Sequence, residues 1–115
     1  MPESTERGAL TEAVYYIPLS MYTPAHGYAI MQKVKAMSSD RVSLGAGTLY
    51  GAINTLLEKG WIKSAGENPN SRKKEYMLTA SGLKVLEAEL IRLKELLDNG
   101  IAIKGWGGGQ SENYN

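Results

Sequence analysis

The sequence predicts a mainly α-helical fold with one small β-hairpin. Three observations carry that expectation. Apolar residues recur at helical spacing in four separate stretches. Two short alternating segments flank a dense turn cluster, Gly66-Glu67-Asn68-Pro69-Asn70-Ser71. The helical stretches are bounded by residues that start and stop helices, Ser43 and Thr79 in front and Gly60 and Gly100 behind.

Residues 1–6 are polar and expected to fray. From about Gly8 to Tyr22 the chain reads as a helix, with Leu10, Val14, Ile17 and Met21 on one stripe and Tyr15 and Tyr16 flanking it. Pro18 lies inside that stripe, removes one backbone donor and predicts a kink. Thr23-Pro24-Ala25-His26-Gly27 is a turn signal, and Pro24 drives Thr23 out of the helical region. A second helix is expected from His26 or Gly27 to Met37, with Tyr28, Ile30, Met31 and Val34 on its apolar side. Ser38-Ser39-Asp40-Arg41 is a polar loop.

The third helix, Ser43–Gly60, is the most informative stretch. Ser43 can cap it and Gly60 can end it. Leu49, Ile53, Leu56 and Leu57 form its apolar face, and Gly47, Gly51, Asn54, Thr55 and Glu58 lie opposite. Gly45, Gly47 and Gly51 each cost roughly 1 kcal/mol against alanine in a helix. Two readings account for that cost. A neighbouring helix packs against the bare backbone, or an outside object such as a nucleic-acid groove approaches it. Two helices joined by a short polar connection form a helix-turn-helix pattern.

Trp61–Ala65 and Arg72–Leu78 read as the two strands of a hairpin. A hairpin directly behind a helix-turn-helix is the wing of a winged-helix domain. The run Arg72-Lys73-Lys74 stands where the tip meets the returning strand, suited to neutralising phosphates. Thr79 can cap a last helix running to about Asp98, with Gly100 as its stop. Leu83, Leu86, Leu90, Leu93 and Leu97 follow one another at heptad spacing, with Val85, Ile91 and Leu96 beside them. A helix from a second copy would cover this seam, making it a dimerisation surface; the other reading packs the whole helix on its own domain. From Asn99 onward the chain is Gly-rich and polar, and Trp106 either docks in an apolar groove or has no role. The organisation is thus a winged helix-turn-helix domain over 8–78, a C-terminal dimerisation helix over 79–98 and a flexible tail over 99–115.

Composition narrows the function. The 115 residues suffice for one domain with a modest core, and 43% apolar content favours folding. Absence of cysteine excludes disulfides and thiolate metal sites, and the single histidine, His26, excludes a histidine cluster within one chain. No metal or cofactor is expected. No apolar run approaches membrane-spanning length and no signal-peptide pattern is present, so a cytoplasmic location is expected. The net charge of +1 hides an asymmetry, because residues 31–74 carry +5 and the remainder −4. A basic middle suits a polyanionic partner, or is ordinary solvated surface charge. Enzymatic chemistry finds little support. His26 at a helix start reads as a turn or capping residue, and Asp40 beside Arg41 as an exposed ion pair.

Three blocks together resemble the PadR family of bacterial transcriptional regulators. His26-Gly27-Tyr28-Ala29-Ile30 resembles the family's Gly-Tyr-x-Ile on the second helix. Gly45-Ala46-Gly47-Thr48-Leu49-Tyr50 with Leu56-Leu57-Glu58-Lys59-Gly60-Trp61-Ile62 resembles its recognition helix and the start of its wing. The third block, Arg72-Lys73-Lys74-Glu75-Tyr76-Met77-Leu78-Thr79-Ala80-Ser81-Gly82, resembles its basic-Tyr-x-Leu-Thr-x-x-Gly run. The resemblance spans about residues 9–98 and implies a winged-helix repressor that dimerises through its C-terminal helix and binds a two-fold-related operator on double-stranded DNA; in the family an effector or stress signal often releases the DNA. Carried over by position, Ser43, Gly45, Thr48, Tyr50, Gly51 and Asn54 would face DNA, with Arg72, Lys73 and Lys74 on phosphates. The single short C-terminal helix resembles the smaller subfamily, some of whose members hold flat hydrophobic drugs between aromatic residues. Here that helix has no aromatic residue, so such a site would need Tyr15, Tyr16 or Trp106. The alternative function is a small-molecule sensor that captures a hydrophobic effector in a dimer cavity lined by Tyr15, Tyr16 and methionines.

Overall fold

The structure, a computed structural model, describes residues 9–67 and 73–106. Its elements run α1 (Glu12–Leu19), β1 (Ala25–His26), α2 (Gly27–Met37), α3 (Ala46–Lys59), β2 (Ile62–Glu67), β3 (Lys74–Leu78) and α4 (Ala80–Lys104). This is the expected mainly helical fold, but the hairpin has become an antiparallel three-stranded sheet in the order β1-β3-β2.

Thr11 caps α1, its side chain accepting from the Val14 N–H at 3.2 Å. The helix was expected to reach Tyr22 and stops at Leu19. Pro18 cannot donate to the carbonyl four residues back. The chain then tightens through Met21 N–H to the Pro18 carbonyl and Tyr22 N–H to the Leu19 carbonyl. The buried Ser20 hydroxyl closes the turn on the Ile17 carbonyl at 2.6 Å.

Residues Ala25 and His26, expected only as a turn, pair with Tyr76 and Glu75 of β3. His26 is also the N-cap of α2, where its Nδ1 accepts from the Ala29 N–H at 3.2 Å. Ile30 and Val34 of α2 are fully buried. The turn between α2 and α3 is pinned by Ser38, wholly buried, whose hydroxyl accepts from the Val42 N–H at 2.9 Å and lies against the Lys35 and Val42 carbonyls.

α3 buries Leu49, Ile53 and Leu56 on the face the spacing assigned to the core. Its start corrects the expected cap. Gly45 holds the N-cap position and no side chain caps it. Ser43 stands two residues further upstream, with Leu44 between them packed on the core. Gly60 ends α3 as expected, at φ 76° in the left-handed region. In the hairpin Ile62 faces Leu78 and Ser64 faces Tyr76, with a bulge at Ala65 before Gly66 meets Glu75.

α4 starts where expected. Thr79 accepts from the Gly82 N–H at 3.0 Å and donates to the Gly60 carbonyl at 2.6 Å, tying this helix to the end of α3. The helix does not stop at Asp98. It runs through Gly100, an unstrained helical residue, to Lys104, with Gly105 as C-cap, so the boundary of the tail moves to that point. The rest of the expected tail, 107–115, lies outside the described residues. The core comprises Ile17 and Met21 of α1 and its turn, Ile30 and Val34, Leu49, Ile53 and Leu56, Ile62, Tyr76 and Leu78, and Leu86 of α4.

Candidate nucleic-acid interface

Burying Leu49, Ile53 and Leu56 forces the other side of α3 outward. Ser43, Gly45, Gly47, Thr48, Gly51 and Asn54 are all exposed. A Cβ placed on Gly45, Gly47 or Gly51 would meet nothing within 4 Å. Among the described residues no neighbouring helix uses the bare backbone, which counts against the helix-packing reading of these glycines within a protomer. The first N–H groups of α3 have no side-chain cap. Thr55, on the same face, donates its hydroxyl back to the Gly51 carbonyl at 3.2 Å.

Tyr50 sits at the edge between the two faces and is 44% exposed. Its hydroxyl lies against the backbone of Gly27, so closely that a Cβ there would overlap it. Tyr50 also neighbours Tyr76, whose phenol is pushed above its ordinary pKa by burial and secondarily by Tyr50. The ring therefore spaces α3 from the start of α2.

The wing supplies cations beside this face. Lys73 and Lys74 are exposed at the start of β3. Lys73 Nζ lies 5.9 Å from the centroid of the Tyr28 ring, and Lys59 Nζ lies 5.4 Å from that of Trp61. Arg72 lies outside the described residues. Tyr28 was expected on the apolar stripe of α2 and is 57% exposed instead. Two residues before the buried Ile30, it points about 200° away around the helix.

The expected leucine seam divides. Leu86 is buried in its own domain at 3% exposure and Leu83 packs on the same core, so neither has much surface for a partner. The first turns of α4 are needed to close the domain's core. Leu90, Leu93 and Leu97 are exposed, as are Ile91, Leu96 and Ile103.

Tyr15 and Tyr16 come together between α1 and α4. Their ring centroids are 5.9 Å apart at a 56° tilt, and with Leu10, Glu89 and Leu93 they line a shallow depression. Glu89 is the residue that sequence reasoning missed. It is 2% exposed, accepts from Arg92 at 2.9 and 2.5 Å, and accepts the Leu10 N–H at 3.3 Å. The Arg92 hydrogen bonds hold its carboxyl below the ordinary glutamate pKa, against the opposing effect of burial. Burial first, then Glu89, pushes the Tyr15 phenol up. Glu89 lies three residues after the buried Leu86, and that spacing was the available signal. Arg41 of the α2–α3 turn, expected to pair with Asp40, pairs instead with Glu12 of α1, at the edge of the same depression.

Among the described residues no group of three or more His, Asp or Glu side chains is placed to hold a metal ion. No described helix is long and apolar enough to cross a membrane.

Residues 19–88 match the family model of the transcriptional regulator PadR-like family. The chain belongs to this family. PadR-like regulators are non-enzymatic DNA-binding proteins, and this one is therefore a DNA-binding transcriptional regulator. Solved structures agree on the fold. A PadR-like transcription factor from Bacteroides fragilis is 26% identical, with a TM-score of 0.63 over 88% of this chain and 96% of that one. A PadR family regulator from Eggerthella lenta is 27% identical, with a TM-score of 0.55 over 76% and 72%. A PadR family regulator from Clostridium difficile shares the fold at 22% identity, with a TM-score of 0.64 over 80% and 96%. An uncharacterized 37.1 kDa protein in a Streptomyces fradiae transposon is 38% identical over 66 residues, 57% of this PadR-like chain. The match spans only 18% of that longer protein.

Proposed function

We propose that this PadR-like regulator is a homodimeric repressor that binds a two-fold-related operator. α3 enters the major groove, where Ser43, Gly45, Thr48, Tyr50, Gly51 and Asn54 face DNA. Arg72, Lys73 and Lys74 of the wing neutralise phosphates, and Leu90, Leu93 and Leu97 of α4 join two copies. The observation that carries this reading is the empty space over Gly47 and Gly51. Helix-weakening residues with no neighbour among the described residues are accounted for by a surface that must come close to the backbone, and the start of α3, without a side-chain cap, leaves N–H groups for phosphate oxygens.

Selection of bound duplexes from random DNA tests it. A palindromic consensus is the expected product. With that consensus in hand, Lys74→Ala should weaken binding to all duplexes alike and lower the salt slope by about 1. Asn54→Ala should instead relax preference at one position of each half-site, at a cost of roughly 1–3 kcal/mol. Identical effects from both would overturn the division between phosphate and base contacts.

A second reading concerns control. The pairing of Tyr15 and Tyr16 over the α1–α4 depression favours a small hydrophobic effector held there, next to the exposed leucines. Titration of planar aromatic compounds against the fluorescence of Trp61 and Trp106 checks it. Saturable quenching that Tyr15→Ala abolishes is the expected result.

A further inference from the structure

Three elements converge at the start of α2. β1 and α2 share His26, which is paired with Glu75 of β3 while it caps the helix. That pairing stitches the returning strand of the wing to the first turn of α2. Lys73, one residue ahead of β3, is thereby carried over Tyr28, one residue into α2. From the other side Tyr50 of α3 packs its hydroxyl against Gly27. Tyr28, Tyr50 and Lys73 are all exposed around this junction.

An exposed tyrosine under a lysine is poorly explained by packing. At 57% exposure Tyr28 contributes little to the core, and a cation over an exposed ring is worth little by itself. What the arrangement does provide is an O–H donor and an ammonium 5.9 Å from the centre of the ring that bears it, adjoining both the exposed face of α3 and the wing. A phosphodiester offers acceptors suited to both, one to a hydroxyl and one to a cation.

We propose that Tyr28 and Lys73 form a joint contact to one DNA backbone phosphate, with Tyr28 donating its hydroxyl and its ring orienting the ammonium. This rests on the proposed docking of α3 and adds a residue of α2 to it. Such a contact carries no sequence information. It fixes how α3 is seated in the groove, because α2 and the wing then grip the same strand on one side of it.

The two residues make separable contributions. A lysine on phosphate releases a counterion, so Lys73→Ala should reduce the slope of log affinity against log salt by about 1. A neutral hydroxyl releases none. Tyr28→Phe should therefore lower affinity roughly fivefold to tenfold at every salt concentration, leaving the slope unchanged. Fluorescence anisotropy with a labelled duplex of arbitrary sequence suffices, since the contact is independent of sequence. Thermal melts of each variant accompany the binding curves; Tyr28 is exposed, so Tyr28→Phe should melt with the parent. In the double variant Tyr28→Phe, Lys73→Ala the losses should be less than additive, because both groups serve one phosphate.

Parent-like affinity for Tyr28→Phe would overturn the inference and leave the docking of α3 standing. So would full additivity, which would put the two residues on different phosphates. A parent protein that bound duplex DNA with no salt dependence would remove the docking itself, and this contact with it.

Discussion

Gly82 and Gly51 are both helical glycines, and their surroundings assign them opposite tasks. A Cβ on Gly82 would overlap the Trp61 carbonyl oxygen, so α4 can cross the α3–β2 junction only because nothing projects there. Gly82→Ala should cost roughly 1–3 kcal/mol in urea unfolding, the range of overpacking in a tight site. Gly51 has open space around it. Gly51→Ala should raise stability by up to about 1 kcal/mol and weaken DNA binding, because the added methyl occupies the space the groove needs. A variant that gained stability and kept full affinity would show that this glycine does not meet DNA. Glu89 carries a prediction in pH. Its folded carboxyl is held below the ordinary value, so its contribution is complete above about pH 4.3, the unfolded range. That contribution fades as pH falls through the lower, folded value. Glu89→Gln should lose roughly 1–3 kcal/mol at pH 7, and the gap to the parent should close on acidification. Denaturation midpoints measured at a series of pH values check the sign.

At the level of elements, Thr79 is the joint of the molecule. It caps α4 and also bonds the last carbonyl region of α3, so one hydroxyl fixes the angle at which α4 leaves the domain. Thr79→Ala should cost about 1–2 kcal/mol, measurable as a lowered melting temperature. This cap was legible in the sequence, as were Gly60 as the stop of α3, His26 at the start of α2 and the exposed face of α3. Each of these is set by local chemistry that a few neighbouring residues announce. What was not legible depended on distant partners. β1 is two residues long, has no periodicity and exists because Tyr76 and Glu75 arrive beside it. Leu83 and Leu86 continue a perfect heptad, yet the domain's core claims them. Gly100 read as a stop, but the helix runs through it to Lys104, and Gly105 takes the cap. The candidate interface divides in the same way. The composition of α3 pointed to an exposed glycine face, whereas Tyr28 became visible only when β3 was seen to carry Lys73 across it.

The whole molecule is lopsided, with principal extents of 55 × 28 × 23 Å. Most of the length is α4, whose 25 residues span about 37 Å. Its first three turns pack on the domain, through Leu83, Leu86 and Glu89. Beyond them Leu90, Leu96 and Leu97 are exposed, and Leu93 only edges the depression it lines with Tyr15 and Tyr16. A free helix arm of this length is marginal in water, and burying each leucine stabilises by roughly 1.5–3 kcal/mol. The proposed second copy supplies that burial. It also sets two α3 helices at a fixed separation, which DNA can match only where half-sites lie about 34 Å, or one helical turn, apart. Three measurements on the parent and one variant follow from this. The melting temperature of the parent should rise with protein concentration, because folding of the arm is linked to association. Leu93→Glu should sediment as a monomer, with a melting temperature independent of concentration. On an operator whose half-sites are moved apart by half a turn, about 5 base pairs, the parent should bind no better than Leu93→Glu binds the intact site. If Leu93→Glu instead remained dimeric, the copies would be joined elsewhere, and the spacing between the α3 helices would no longer follow from α4.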